Sequence, residues 1–73
     1  VMLEPFDKSK TAYILEFKVH NPRTEASLEE TVSKALLQID EKNYDAELIA
    51  DGFKKEQICH FGFAFEGKHV LIG

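Results

Sequence analysis

The sequence predicts one small α/β domain: a mixed β-sheet in the order β-β-α-(α)-β-β, with helices packed on one face. Three observations lead there. Residues 11–19 and 57–65 are apolar runs with a β-branched and aromatic bias, each of strand length. Between them, Leu28, Val32, Ala35, Leu36 and Ile39 recur at spacings of three and four, which is one face of a helix. And 73 residues suffice for one domain and no more.

Taken in order, residues 1–4 are a short apolar run closed by Pro5, and residues 6–10 are polar and turn-like. The runs at 1–4 and 11–19 are close enough to pair as an antiparallel hairpin. Along 11–19, Tyr13, Leu15, Phe17 and Val19 share one face, which is expected to pack against a helix. Ile14, Glu16, Lys18 and His20 share the other, expected to meet solvent or substrate. Asn21-Pro22-Arg23-Thr24 breaks the strand. Ser27-Leu28-Glu29-Glu30 has the spacing of a capping box, with Ser27 at the N-cap of a helix of about four turns. Residues 45–50 suggest a second, short helix with Gly52 at its C-terminal cap. Glu66-Gly67 reads as a two-residue turn, and 68–72 as the return strand. The strand-helix-strand passage implies a right-handed parallel crossover. Phe61, Phe63 and Phe65 recur with period two, which reads as a core face rather than a base-stacking platform.

Composition narrows the function. A formal net charge of -4 disfavours gripping nucleic acid by bulk electrostatics, so any such contact needs a local basic patch or groups outside this segment. Lys8, Lys10, Lys54 and Lys55 are too few to make one. No apolar run approaches the length of a membrane span. Cys59 is alone, so no internal disulfide forms, which suits a reducing cytoplasm. It reads as a small buried hydrophobe. His60 beside it lacks a second Cys or His at zinc-ligand spacing. The chain opens at Val1 without an initiator Met and is read as a piece of a longer protein, truncated at its N-terminus.

Glu16 and Lys18 carry the chemical signal. Charged residues toward the end of an apolar strand are expected to be paired or working. Two residues apart on a strand, they point the same way. A carboxylate and an ammonium side by side before an amphipathic helix suit metal-dependent phosphodiester chemistry. The other Glu-x-Lys or Asp-x-Lys spacings differ in context: Asp40 and Lys42 lie on a helix, about 200° apart, and Glu66 and Lys68 flank a turn. The plain alternative for Glu16 and Lys18 is a surface ion pair worth under about 1 kcal/mol.

Strand, Glu16-Phe17-Lys18, capped helix with Gln38, then a hydrophobic strand resembles the PD-(D/E)XK nuclease superfamily and its restriction-endonuclease-like core. More closely, the chain resembles the nuclease-like domain found behind AAA-ATPase-like domains in bacterial and archaeal proteins. Residues 2–5, 13–18, 35–39 with Tyr44, and 61–68 carry that likeness across nearly the whole chain. It implies a metal-dependent nuclease acting on DNA or RNA. Glu16 would be a ligand to Mg²⁺ or Mn²⁺, and Lys18 would orient water and stabilise charge on the phosphate. Gln38 would point into the site; Tyr44 and His20 would be weaker substrate contacts. Without the resemblance, Gln38 is a solvated helix residue, Tyr44 a core or rim residue, and His20 an exposed strand-end side chain. Similar proteins carry an Asp at the start of the first strand, and no Asp precedes the apolar run here. The site in this segment is therefore expected to be incomplete. The alternatives are a non-catalytic module that binds nucleic acid or protein beside its ATPase-like partner, and a purely structural docking domain. The last would expose a large apolar patch and self-associate.

Overall fold

The computed structural model describes residues Val1–Gly73. Four strands make one sheet: β1 (Met2–Leu3), β2 (Ala12–Val19), β3 (Ile58–Glu66) and β4 (His69–Ile72), in that spatial order. β1 pairs antiparallel with β2, β2 parallel with β3, and β3 antiparallel with β4. Helices α1 (Leu28–Lys42) and α2 (Tyr44–Ala50) make the crossover between the parallel strands. The mixed α/β architecture is the one the sequence predicts.

Local chemistry sets the helix ends. Ser27 is the N-cap of α1 in extended conformation, and its hydroxyl accepts from the Glu30 N–H. The Glu30 carboxylate reaches back one residue further than a capping box requires, accepting from the Ala26 N–H at 2.8 Å. Asn43, left-handed at φ 53°, ends α1 and turns the chain directly into α2. Gly52, at φ 107°, follows the end of α2. The β3–β4 turn falls one residue later than expected. Glu66 pairs with His69, so the two central residues are Gly67 and Lys68. Only the first has positive φ, the pattern of a type II′ turn, which calls for Gly there.

The sidedness of the sheet is the reverse of the expectation. Both helices lie on the face of Ala12, Ile14, Glu16, Lys18 and His20. There Ala12, Ile14, Ile39, Leu48 and Phe53 form the buried core. Tyr13, Phe17 and Val19 point to the opposite, open face and are exposed. The cause is on β3. A Cβ on Gly62 would lie 3.0 Å from the Val32 carbonyl oxygen and 3.2 Å from Ala35 Cβ. Small Gly62 and Ala64 are the seat that lets α1 approach. Phe61, Phe63 and Phe65, alternating with them, must face the other way. They do not belong to the helix-covered core, and Cys59 shares their side through its pairing with Tyr13.

Candidate functional site

Glu16 and Lys18 lie on the helix-covered face of central strand β2, yet neither is sealed in. α1 rests over β3, as the close contacts above Gly62 record. On the other flank, β1 reaches only as far as Val1. Val1 exchanges both backbone hydrogen bonds with Leu15, at 2.7 and 2.8 Å. Glu16 and Lys18 stand beside α1 on this face, beyond the Val1–Leu15 pair.

One ridge of α1 is polar. Lys34, Gln38 and Lys42 stand four residues apart and share a side of the helix. Lys42 donates to Glu16 Oε2 at 3.3 Å, so the predicted acid is already paired, with its side chain only 17% exposed. That hydrogen bond raises the Lys42 pKa above its ordinary value. Lys42 also sits 5.8 Å from the centre of the Tyr44 ring, which packs against the core cluster. Gln38 is half-buried between the two lysines of its ridge. Lys18 is half-buried and makes no ion pair.

His20 is not an exposed strand-end residue. Its side chain is 7% exposed, and Nδ1 lies 2.8 Å from Thr31 Oγ1. The Thr31 hydroxyl donates to Glu25 Oε1 at 2.8 Å. With its one proton committed there, the hydroxyl must accept from His20 Nδ1–H. Glu25, buried at 7% exposure, also accepts from the Asn21 N–H at 2.7 Å and pairs with Lys34 at 3.3 Å. Chiefly the Asn21 N–H, then the Thr31 hydroxyl and Lys34, hold its pKa down at about 2 against partial desolvation. His20 Nε2 lies 3.6 Å from Glu66, so carboxylates stand on both sides of the ring. A second pairing fastens α2 to the sheet: His60 Nε2 is 2.6 Å from Asp45 Oδ1.

Sequence reasoning had no route to Lys42, Glu25, Thr31 or Asp45. Each partner lies on a different element, and Glu16 and Lys42 are 26 residues apart. Only the i, i+4 ridge was written in the helix pattern.

Glu16 and Lys18 together offer a divalent metal one carboxylate, Glu16, which is engaged by a lysine. No three His, Cys, Asp or Glu side chains gather as a metal cluster. Hard divalent cations need several oxygen ligands, including carboxylates. These residues do not make a metal centre by themselves. The cation they leave unpaired is Lys18, half-buried beside Glu16.

A family model described as the PD-(D/E)XK nuclease superfamily matches residues 1–73. No curated protein and no solved structure matches the chain.

Proposed function

Since the chain belongs to the PD-(D/E)XK nuclease superfamily, we propose that it is the nuclease-like core of a longer protein that hydrolyses phosphodiester bonds in DNA or RNA. The observation that carries this reading is the placement of Glu16 and Lys18 on one face of β2, beside the polar ridge of α1. In this reading Lys18 meets the phosphate and stabilises its developing charge. Gln38 contributes a polar contact from the helix. Tyr44 acts indirectly, through Lys42. His20, tied to Thr31, braces the end of β2 rather than touching substrate.

Superfamily members generally use divalent metals, and Glu16 would be one ligand to Mg²⁺ or Mn²⁺. The remaining ligands have to come from groups outside these residues. The register favours one source. Val1 pairs with Leu15, so in a longer chain a preceding residue would stand across from Glu16 on the same face. A carboxylate there would give the site its second acid. The resemblance to domains that follow AAA-ATPase-like domains supports a place behind such a domain in a cytoplasmic prokaryotic protein.

The test uses a chain extended upstream by about a dozen residues, enough for one more strand. Mg²⁺- and Mn²⁺-dependent cleavage of mixed nucleic acids is assayed beside Lys18→Ala. Cleavage lost in the variant, with its fold intact, supports the reading. One observation favours a second reading, a non-catalytic binding module: the Lys42 ammonium already neutralises Glu16. A folded, extended protein that binds nucleic acid or protein without cleaving would establish that alternative.

A further inference from the structure

His20 is a buried, titratable ring that the proposed chemistry does not use. It lies where three parts of the molecule meet: the end of β2, the start of α1 and the β3–β4 turn. Thr31 Oγ1 and Glu25 Oε1 stand 2.8 and 3.5 Å from Nδ1. Glu66, the last residue of β3, stands on the Nε2 side. The parallel ladder brings it there: Val19 pairs with Phe65, and the His20 N–H donates to the Phe65 carbonyl at 2.8 Å.

Protons around the ring are fixed on one side only. With its pKa held at about 2, Glu25 is an acceptor at any higher pH. The Thr31 hydroxyl proton must therefore lie between Oγ1 and Glu25 Oε1, which are 2.8 Å apart, and the hydroxyl accepts from Nδ1–H. Nδ1 keeps its proton in both charge states of the ring. The proton that comes and goes is the one on Nε2, and Nε2 lies 3.6 Å from Glu66 Oε2. Protonated, Nε2 offers that carboxylate a charged donor. Unprotonated, it turns a lone pair toward it, and two acceptors face each other.

We propose that His20 is a proton-operated clasp: the imidazolium holds Glu66, and with it the β3–β4 turn, against the end of β2, and the neutral ring releases them. The clasp is closed on the acid side of the ring's titration and opens as pH rises through it. Glu66 is the partner free to respond. Its side chain is 52% exposed, whereas Glu25, 5% exposed, is held by the Asn21 N–H, Thr31 and Lys34. Other charges around the ring do not take its place. Lys34 is engaged by Glu25. Lys18 lies two residues back on the same face of β2 and makes no ion pair. Arg23, in the loop between β2 and α1, is exposed. His69 pairs across from Glu66 in the hairpin, but it too is exposed, and it is a second ring whose titration has to be separated from that of His20. The clasp rests on these contacts and not on the nuclease reading.

NMR titration of the full-length protein, labelled with nitrogen-15, tests this. Long-range proton–nitrogen spectra of the imidazoles should show neutral His20 protonated on Nδ1. The Gly67 and Lys68 amide signals should shift with pH in step with the His20 ring. Glu66→Gln changes an exposed side chain, and its amide can donate to the bare nitrogen as well as accept from the protonated one. That variant should abolish the shift of the turn amides and leave the tautomer as it was. His69→Gln should leave both the tautomer and the shift in place. A neutral His20 protonated on Nε2 overturns the proposal. So does a ring that keeps one charge state between about pH 5 and 8, where histidine ordinarily titrates. Turn amides that ignore the ring, that follow it unchanged in Glu66→Gln, or that stop responding in His69→Gln overturn it as well.

Discussion

Gly62 is where a single added methyl group should be felt most sharply. It lies mid-strand in β3, directly under α1. An added Cβ would stand 3.0 Å from the Val32 carbonyl oxygen, 3.2 Å from Ala35 Cβ and 3.3 Å from Leu36 Cγ. Ordinary carbon contacts are about 3.5–4.0 Å. The nearest atom is helix backbone, which cannot rotate aside, so α1 must retreat by a few tenths of an ångström along its contact with the sheet. Two terms compete in Gly62→Ala. Replacing a strand Gly gains about 0.5–1 kcal/mol in backbone entropy. Overpacking a well-filled contact costs about 1–3 kcal/mol. The second should win, leaving Ala destabilised by about 1 kcal/mol. Gly62→Val adds two more methyls at the same place and should lose about 2–3 kcal/mol. At this chain length 1 kcal/mol moves Tm by about 4–8 °C, so Val should melt at least ~8 °C below wild type. Thermal and urea unfolding followed by circular dichroism measures both, with an unchanged urea slope confirming that stability has changed and not the surface exposed on unfolding. An Ala variant as stable as wild type, or more so, would refute the claim that Gly62 seats the helix.

Three further outcomes follow from named contacts. Glu25→Gln should flatten the acid side of the stability profile: the folded pKa of Glu25 is about 2 against an ordinary 4.5, so its contribution is full above pH 4.5 and fades as pH falls toward 2; chemical denaturation at a series of pH values shows this. Glu16→Gln should lower the Lys42 pKa toward its ordinary value of 10.5, read by NMR titration, while changing stability little because the lysine is solvated. Ile39→Ala, at a fully buried site packed on Ile14 and Leu48, should cost about 2–5 kcal/mol in urea unfolding, enough to leave so small a domain marginal or unfolded.

The order of elements was legible because each is specified locally. The Ser27 cap, the three-and-four spacing of α1 and the apolar runs of β2 and β3 all sit within windows of a dozen residues. The side of the sheet was not legible from β2 alone, since both of its faces carry large apolar residues. Ile14 faces the helices while Phe17 does not, and the deciding signal is forty-odd residues away in Gly62 and Ala64, whose small size marks where the helix must come close. The same limit governs the site. Sharing of a face by Glu16 and Lys18 follows from strand periodicity. The lysine that holds Glu16, and the Glu25–Thr31–His20 chain, come from the way α1 is laid across the sheet. Charges and hydroxyls on an exposed helix ridge look alike in sequence whether or not a partner waits opposite.

The parallel pairing of β2 with β3 has a kinetic side. Every pair along that ladder joins residues about 46 positions apart, and closing such a loop costs about 3 kcal/mol in chain entropy. The β3–β4 hairpin and capped α1 need no such closure. The ladder can lock only once α1 is in place to bridge its two strands, so the rate of folding should be governed by how well the first turns of α1 and its seat on Gly62 are formed in the transition state. The stacked Phe17 and Phe63, zipped up afterwards, would then set how slowly the molecule comes apart rather than how fast it assembles.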